Sequence, residues 1–152
     1  MALHIALYRP EIPPNTGNIG RLCVGIGAEL HVIHPIGFSM GEKAVRRAGL
    51  DYWQHVQLHE HADAGAFWDW AEGRSVHLFS SHGQQPHTAL TARDGDVLLF
   101  GPESVGLPRE WVEERGAYRI PLWGPVRSLN LSNAVAVATY TALQQVAPER
   151  FA

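Results

Sequence analysis

The chain has 152 residues, of which 45% are hydrophobic and 18% are charged, and its formal net charge is -3. This length and composition predict a single folded domain spanning residues 1–152. The negative charge excludes a protein that coats nucleic acid through overall attraction, so a nucleic-acid site would have to be a local patch. No apolar run approaches the roughly twenty residues that cross a bilayer, and the N-terminus lacks a signal-peptide pattern, so we expect a cytoplasmic protein.

Short apolar runs alternate with helix-like segments along the chain. Five runs closed by Gly, Pro or Ser are typical of strands: 3–8, 30–35, 75–81, 96–101 and 117–122. Five segments between or after them are predicted to be helical: 18–27, 42–48, 62–72, 109–115 and 131–146. This alternation predicts an α/β fold in which helices flank both faces of a parallel sheet. Ligands in such a fold bind beyond the carboxyl ends of the strands.

The predicted helix 131–146 is apolar nearly all round until Gln144 and Gln145. A helix of this kind must be covered on most of its surface. The pattern favours a homodimer interface, and the alternative is a central core helix of a monomer. Because the chain shows no repeat and no long linker, we expect no separate RNA-binding domain, and a second copy would then help to form the substrate surface.

Cysteine and histidine are candidate metal ligands in this sequence. Cys23 is the sole cysteine, which excludes an internal disulfide and a cysteine metal cluster and is typical of a buried small hydrophobe. The histidine pairs His31 with His34 and His59 with His61 lack a carboxylate and a third ligand at recognisable spacing. We therefore expect no metal. A serine hydrolase is also not indicated, since no serine lies in a G-x-S-x-G elbow.

The first of three loop segments is PEIPPNTGNIGR, residues 10–21, between the first strand and the first helix. Asn15 or Thr16 can cap that helix, and Arg21 would lie near its start, facing the loops. The alternative interpretation is a capped turn with a solvent-exposed arginine.

The second segment is LLFGPESVGLP, residues 98–108, where a strand runs into a Gly-Pro turn. Gly101 and Gly106 have the spacing of a phosphate loop, but the Lys and Ser or Thr that should follow are missing, so that motif fails. A nucleoside pocket is still compatible with Gly101. Glu103 could bind a hydroxyl group or complement a helix N-terminus.

The third segment is RIPLWGPVRSLNLSNAVAVATY, residues 119–140. Its polar string of Ser128, Asn130, Ser132 and Asn133 contains more capping residues than one helix needs. The excess indicates a loop that binds a ligand.

These three segments, with RRAGLDYW at 46–53, resemble the motifs of the SPOUT methyltransferases that modify ribose, and together they look like the minimal TrmL (YibK) group. The resemblance covers almost the whole chain in the right order. It implies S-adenosylmethionine-dependent methylation of the 2′-hydroxyl of the wobble pyrimidine in the anticodon loop of leucine tRNAs. It also implies a C-terminal deep trefoil knot, from about residue 78 to 146, and a homodimer that forms through the C-terminal helix. Other RNA substrates such as rRNA, or a non-catalytic nucleotide-binding protein, are the alternatives.

The resemblance also assigns individual residues. Arg21 is the catalytic candidate, and in relatives the corresponding arginine is sometimes described as a general base. Because a guanidinium stays protonated, the alternative roles of positioning a phosphate and stabilising a developing alkoxide are the ones that its chemistry favours. The residues expected around the cofactor are Phe79, Gly101, Ile120, Ser128 and Leu129. Phe79 stands where relatives often have a smaller aliphatic residue. The residues expected to contact RNA are Arg9, Arg46, Arg47 and Tyr140, with a solvated helix face or a dimer contact as alternatives.

Overall fold

The computed structural model describes residues 3–41 and 50–152, in which seven strands form one sheet with parallel pairing. The sheet order is β3-β2-β1-β6-β4-β7-β5. The strands are β1 (His4–Tyr8), β2 (Glu29–Ile33), β3 (Leu58–His61), β4 (Val76–Phe79), β5 (Gln85–Pro86), β6 (Val97–Phe100) and β7 (Tyr118–Arg119). The α-helices are α1 (Pro13–Ile26), α2 (Ala64–Ala71), α3 (Arg109–Arg115) and α4 (Leu131–Val146). Short 3-10 helices cover Leu50–His55, His87–Ala89 and Pro148–Phe151.

Helices cover both faces of this sheet. In β1, Ile5 and Leu7 join a core cluster with residues of α1 and α4, whereas Ala6 joins a second cluster with residues of α2 and α3. Successive side chains of a strand point to opposite faces, so one short strand supplies both clusters. The predicted α/β fold with a helix-flanked parallel sheet is confirmed.

Two strands are missing from the sequence prediction. β3 has the sequence LHEH, whose side chains are all half-buried or exposed, so it lacks the apolar run used to predict strands. It lies at the sheet edge, where pairing with β2 from Leu30–Leu58 to Ile33–His61 holds it. β5 has only two residues. The predicted helix 42–48 lies outside the described residues.

Most of the apolar surface of α4 is covered within its own chain. Val135, Ala138 and Ala142 are fully buried in the core. The exposed side of the helix retains two apolar side chains, Val137 and Tyr140, at 39% and 46% exposure. The alternative prediction, a helix in the core of a monomer, thus accounts for most of the apolar residues of α4. A smaller exposed apolar surface on this helix is available to a partner.

Cys23 is a residue of α1 and is fully buried in the core, as the sequence predicted. Burial raises the pKa of its thiol to about 12. Among the described helices, none has the length and apolar character needed to span a membrane.

Candidate active site

The carboxyl ends of β4, β6 and β7 meet at one edge of the sheet. Phe79 pairs with Phe100 on one side and with Tyr118 on the other. Gly101 directly follows Phe100, and Ile120 lies two residues after Tyr118. The sheet therefore brings together the loops that carry the predicted cofactor residues, at the edge where open α/β sheets bind ligands.

The Phe79 side chain belongs to the core rather than to a ligand surface. Its ring is stacked on Phe100, with centroids 4.9 Å apart, and lies 5.8 Å from the Tyr118 ring. Because only 6% of the residue is exposed, a ligand at the strand end would meet the backbone of Phe79 instead of its ring.

The loop after β6 folds back on itself at Gly101. A Cβ atom at this position would lie 2.3 Å from the carbonyl carbon of Gly106 and the nitrogen of Leu107. Gly106 has a φ of 72°, and its N–H donates to the carbonyl of Pro102 at 2.9 Å. Close approach within the loop therefore requires glycine at position 101, whether or not a ligand is bound.

The loop between β7 and α4 exposes apolar side chains. Trp123 is 93% exposed and Val126 is 61% exposed. Ile120 and Leu129 are half-buried, and Ser128 is exposed. Exposed apolar groups beside half-buried ones indicate a surface that meets a ligand or another chain.

Hydrogen bonds connect all three loop segments. The side-chain amide of Asn130 donates to Asn15 Oδ1 at 3.1 Å, and the amide of Asn15 donates to Glu103 Oε2 at 3.2 Å. The Glu103 carboxylate also accepts the backbone N–H groups of Glu11 and Ile12, at 2.8 and 3.0 Å. We call Asn15, Glu103 and Asn130 the edge network. Each of the three segments contributes one of its members.

The start of α1 differs from the prediction. The helix begins at Pro13, and its N-cap residue Ile12 makes no side-chain capping bond. The prediction that Asn15 or Thr16 caps the helix is wrong, because both lie inside it. Proline is tolerated in a first turn, since N–H groups there have no partner within the helix. Glu103 supplies acceptors and negative charge at this N-terminus, which is the second of the two roles considered for it.

Asn130 has two functions in the structure. Its Oδ1 accepts the backbone N–H groups of Ser132 and Asn133 at 3.0 and 3.4 Å and thereby caps α4. Its amide nitrogen reaches Asn15 in the first segment. One residue of the polar string is thus enough for capping, as the sequence indicated.

Arg21 and Tyr140 lie on the surface. The Arg21 guanidinium carbon is 5.1 Å from the centroid of the Tyr52 ring, in a cation–π contact. Tyr140 packs edge-on against Phe151, with ring centroids 6.3 Å apart. Within residues 3–41 and 50–152, no hydrogen bond or ring contact joins Arg21 or Tyr140 to the edge network.

Arg9 lies beside a cavity of about 710 Å³ at the same edge of the sheet, which Tyr8 and Arg109 also line. Arg9 has a φ of 48°, an uncommon conformation for a residue other than glycine, and its guanidinium lies 5.0 Å from the Tyr8 ring centroid. The volume is in the range of small-molecule sites. None of the five predicted cofactor residues lines this cavity. Arg46 and Arg47 lie outside the described residues.

Known proteins resemble this chain along nearly all of its length. The tRNA (cytidine(34)-2'-O)-methyltransferase of Escherichia coli (strain K12) is 45% identical over 147 residues, which cover 95% of this chain and 94% of that protein. A solved structure that concerns 2-OH methylation of C/U34 on tRNA has 47% identity and a TM-score of 0.91, with 95% of both chains covered.

A more distant structure has the same fold. The AdoMet-bound rRNA methyltransferase from Sinorhizobium meliloti is 26% identical with a TM-score of 0.85, over 94% of this chain and 56% of that one. The model of the SpoU rRNA Methylase family matches residues 2–140. The resemblance seen in the loop segments is confirmed, and the chain belongs to the SpoU rRNA methylase family.

Proposed function

We propose that this protein transfers a methyl group from S-adenosylmethionine to the ribose 2′-hydroxyl of the pyrimidine at position 34, the wobble position, of tRNA. The observation that carries the proposal is the 45% identity to the Escherichia coli tRNA (cytidine(34)-2'-O)-methyltransferase over 95% of the chain. The edge network supports it, because it holds the three loop segments in one place. We further propose leucine isoacceptors as the substrates and the cytoplasm as the place of action.

The proposed cofactor residues lie at the edge of the sheet formed by β4, β6 and β7. Loop backbone from three strand ends converges there, and exposed apolar side chains such as Trp123 and Val126 lie in the third loop. Adenosine needs an apolar slot with a few backbone hydrogen bonds, so these loops fit the group. The proposed contacts are Phe79 through its backbone, Gly101, Ile120, Ser128 and Leu129.

We propose that residues from about 78 to 146 form the trefoil knot. The loop after β4 presses against β7: the Ser80 N–H donates to the Tyr118 carbonyl at 2.9 Å, and a Cβ at Gly83 would lie 2.5 Å from the carbonyl carbon of Tyr118. Such contact between an early loop and a later strand is compatible with a threaded chain. A knot is a rare exception to the usual connection rules.

The reaction would form a bond between the ribose oxygen and the methyl group, break the carbon–sulfur and oxygen–hydrogen bonds, and leave S-adenosylhomocysteine. S-adenosylmethionine supplies an electrophilic methyl group on a sulfonium when it is bound. The ribose 2′-oxygen would attack the methyl carbon as the carbon–sulfur bond breaks, and the hydroxyl proton would pass to water. Arg21 stays protonated, so its proposed role is to position a backbone phosphate and to stabilise negative charge on the oxygen. Correct orientation of the two reactants supplies much of the rate.

The proposed RNA contacts are Arg9, Arg46, Arg47 and Tyr140. Arginine forms bidentate contacts with phosphates, and a tyrosine ring can stack on a base that has left its helix. Arg9 and Tyr140 are both exposed, which supports this role.

We propose that a homodimer forms through α4. Val137 supplies exposed apolar surface on this helix, and the alternative role of Tyr140, a dimer contact, would extend that surface. Sedimentation velocity should show a dimer for the unmodified chain and a monomer for Val137→Asp. The control is Ser75→Asp, which places the same charge at an exposed position outside α4. A monomeric unmodified chain would contradict the proposal.

The substrate is tested by incubating the protein with methyl-labelled S-adenosylmethionine and tRNA from cells that lack this modification. We expect label on the ribose of nucleotide 34 of leucine tRNAs. Label at another tRNA position, or on rRNA only, would retain the chemistry and refute the substrate. Measurable cofactor binding without any transfer would instead favour the non-catalytic alternative.

A further inference from the structure

Three neighbouring strands place histidines on one face of the sheet. His4 lies on β1, His31 on β2, and His59 and His61 on β3. His4 is paired in register with Glu29, and His31 with His59. Because residues paired in register share a face and residues two apart along a strand also do, all five side chains lie on the same side.

The side chains form a connected cluster. His4 Nδ1 lies 2.9 Å from His31 Nε2, and His31 Nδ1 lies 2.9 Å from His61 Nε2. His59 Nε2 lies 2.6 Å from Glu29 Oε1. One ligand atom from each of His4, Glu29 and His31 falls within 4.8 Å of the others. Such a set places the ligand atoms of two imidazoles and one carboxylate close together.

The two central imidazoles are in the core. His31 is fully buried and His4 is 6% exposed. One of the two facing nitrogens carries the proton of their hydrogen bond, so an ion bound by both rings would replace that bond.

We propose that His4, His31 and Glu29 bind a divalent transition-metal ion of the zinc class. Two histidines and one glutamate are an established ligand set for zinc, and they leave a fourth position for water or for His59. Bonds to zinc are about 2 Å long, so binding draws the three side chains closer together than they are here. Glu29 is the partner best able to move, because its side chain is 24% exposed.

Further hydrogen bonds hold the ligands in place. His61 contacts the second ring nitrogen of His31, and His59 contacts the carboxylate of Glu29. Partners of this kind orient metal ligands and are nearly as important for affinity as the ligands themselves.

A negative and a positive side chain act on the histidine cluster, with opposite effects on its affinity for a cation. Glu29 is the acidic member of the group. The Arg74 guanidinium lies 4.4 Å from the Trp70 ring centroid, and its positive charge acts on both His4 and His31. Trp70 in turn packs on His31 at 4.3 Å between ring centroids. Affinity for a cation should therefore depend strongly on Glu29 and increase when Arg74 is neutralised.

The test uses the full chain without a polyhistidine tag, stripped with a chelator and titrated with Co²⁺. We expect one ion per chain, the visible absorption of four-coordinate Co²⁺, and its loss on addition of Zn²⁺. Glu29→Gln should weaken Co²⁺ binding by at least about 10-fold. The matched control is Glu60→Gln, which removes a carboxylate that pairs with the half-buried His34 at 2.8 Å, and it should bind as the unmodified chain does.

Two results would overturn the proposal. One is the absence of four-coordinate Co²⁺ absorption in the unmodified chain. The other is equal binding by Glu29→Gln and Glu60→Gln, which would assign the ion to surface histidines. Circular dichroism of both variants checks that each is folded. Arg74→Gln should tighten binding, and an unchanged affinity would contradict the proposed balance of charges.

Discussion

The sheet carries two polar networks: the edge network at the carboxyl ends of the strands, and the histidine cluster in its amino half, the strands β1, β2 and β3. At the carboxyl ends of the strands, Asn15, Glu103 and Asn130 join loops; Asn15 is buried, whereas Asn130 is exposed to solvent. In the amino half, His4 and His31 bond to each other inside the core. Water can satisfy a group at the edge when a hydrogen bond opens, whereas a buried group that loses its partner pays the full cost of desolvation.

This difference indicates which half can change during function. In the edge network, the exposed Asn130 can rearrange around a ligand at modest cost in free energy. The histidine cluster must keep its hydrogen bonds and its neutral rings, or exchange them for bonds to a metal ion. We therefore expect chemistry at the edge and stability in the amino half.

The largest effect should come from Arg21→Ala, which tests whether catalysis belongs to the edge. We expect kcat/KM for methyl transfer to fall by about 100-fold or more, because a charge that stabilises the transition state is lost. Cofactor affinity, measured by calorimetry, should be nearly unchanged. The control is Arg115→Ala, which removes an exposed helical arginine with a similar cation–π contact, to Trp68 at 3.7 Å. Equal losses in both variants would refute a special role for Arg21.

A smaller effect is expected for Glu103→Gln. The glutamine amide would place a donor against N–H donors of Glu11, Ile12 or Asn15. The free energy of unfolding, measured in urea, should fall by about 1–3 kcal/mol. Transfer should also slow, because the first and second segments are then joined mainly by the two hydrogen bonds that Ser104 donates to Glu11.

Two measurements sharpen this prediction. The affinity for Co²⁺ should stay constant in Glu103→Gln, since the two networks lie in different halves of the sheet. Glu110→Gln, at an exposed position in the first turn of α3, should change stability far less. Loss of Co²⁺ binding in Glu103→Gln would mean that the two halves are coupled.

The pH dependence of stability tests the histidine cluster in chelator-treated protein. The pKa of His31 is lowered to about 2 in the folded chain, so the unfolded chain binds more protons below about pH 6.5. Its contribution to stability is present above that pH and is lost as the pH falls from about 6.5 toward 2. Each pH unit in this window should cost about 1.4 kcal/mol for this one residue.

Urea unfolding at pH 7.5 and pH 5.5 measures this slope. Lowered pKa values of His4 and His61 act in the same direction. His31→Leu should have a flatter pH profile than the unmodified chain. The same slope in both proteins would show that other groups control acid stability.

The smallest effect is expected at Cys23, which is as buried as His31 but belongs to neither polar network. Because its pKa is raised to about 12, iodoacetamide should leave the native chain unlabelled at pH 8 and should label it in urea. Labelling of the native chain would indicate that α1 opens readily.

Several features could be predicted from the sequence because their signals are local. The alternation of apolar runs and amphipathic segments predicts the α/β class, and α3 and α4 have the predicted bounds, 109–115 and 131–146. Each loop segment is contiguous, so its composition and its family resemblance are readable without coordinates. β3 could not be predicted in this way, since pairing with β2 rather than an apolar pattern stabilises it.

Contacts between distant residues were decided by the tertiary structure alone. The edge network joins residues 88 and 115 positions apart, and no local pattern specifies that Glu103 rather than Asn15 serves the start of α1. The sequence also grouped His31 with His34 because they are neighbours in the chain. The parallel register instead places His31 beside His4, 27 residues away, because strand pairing sets which side chains share a face.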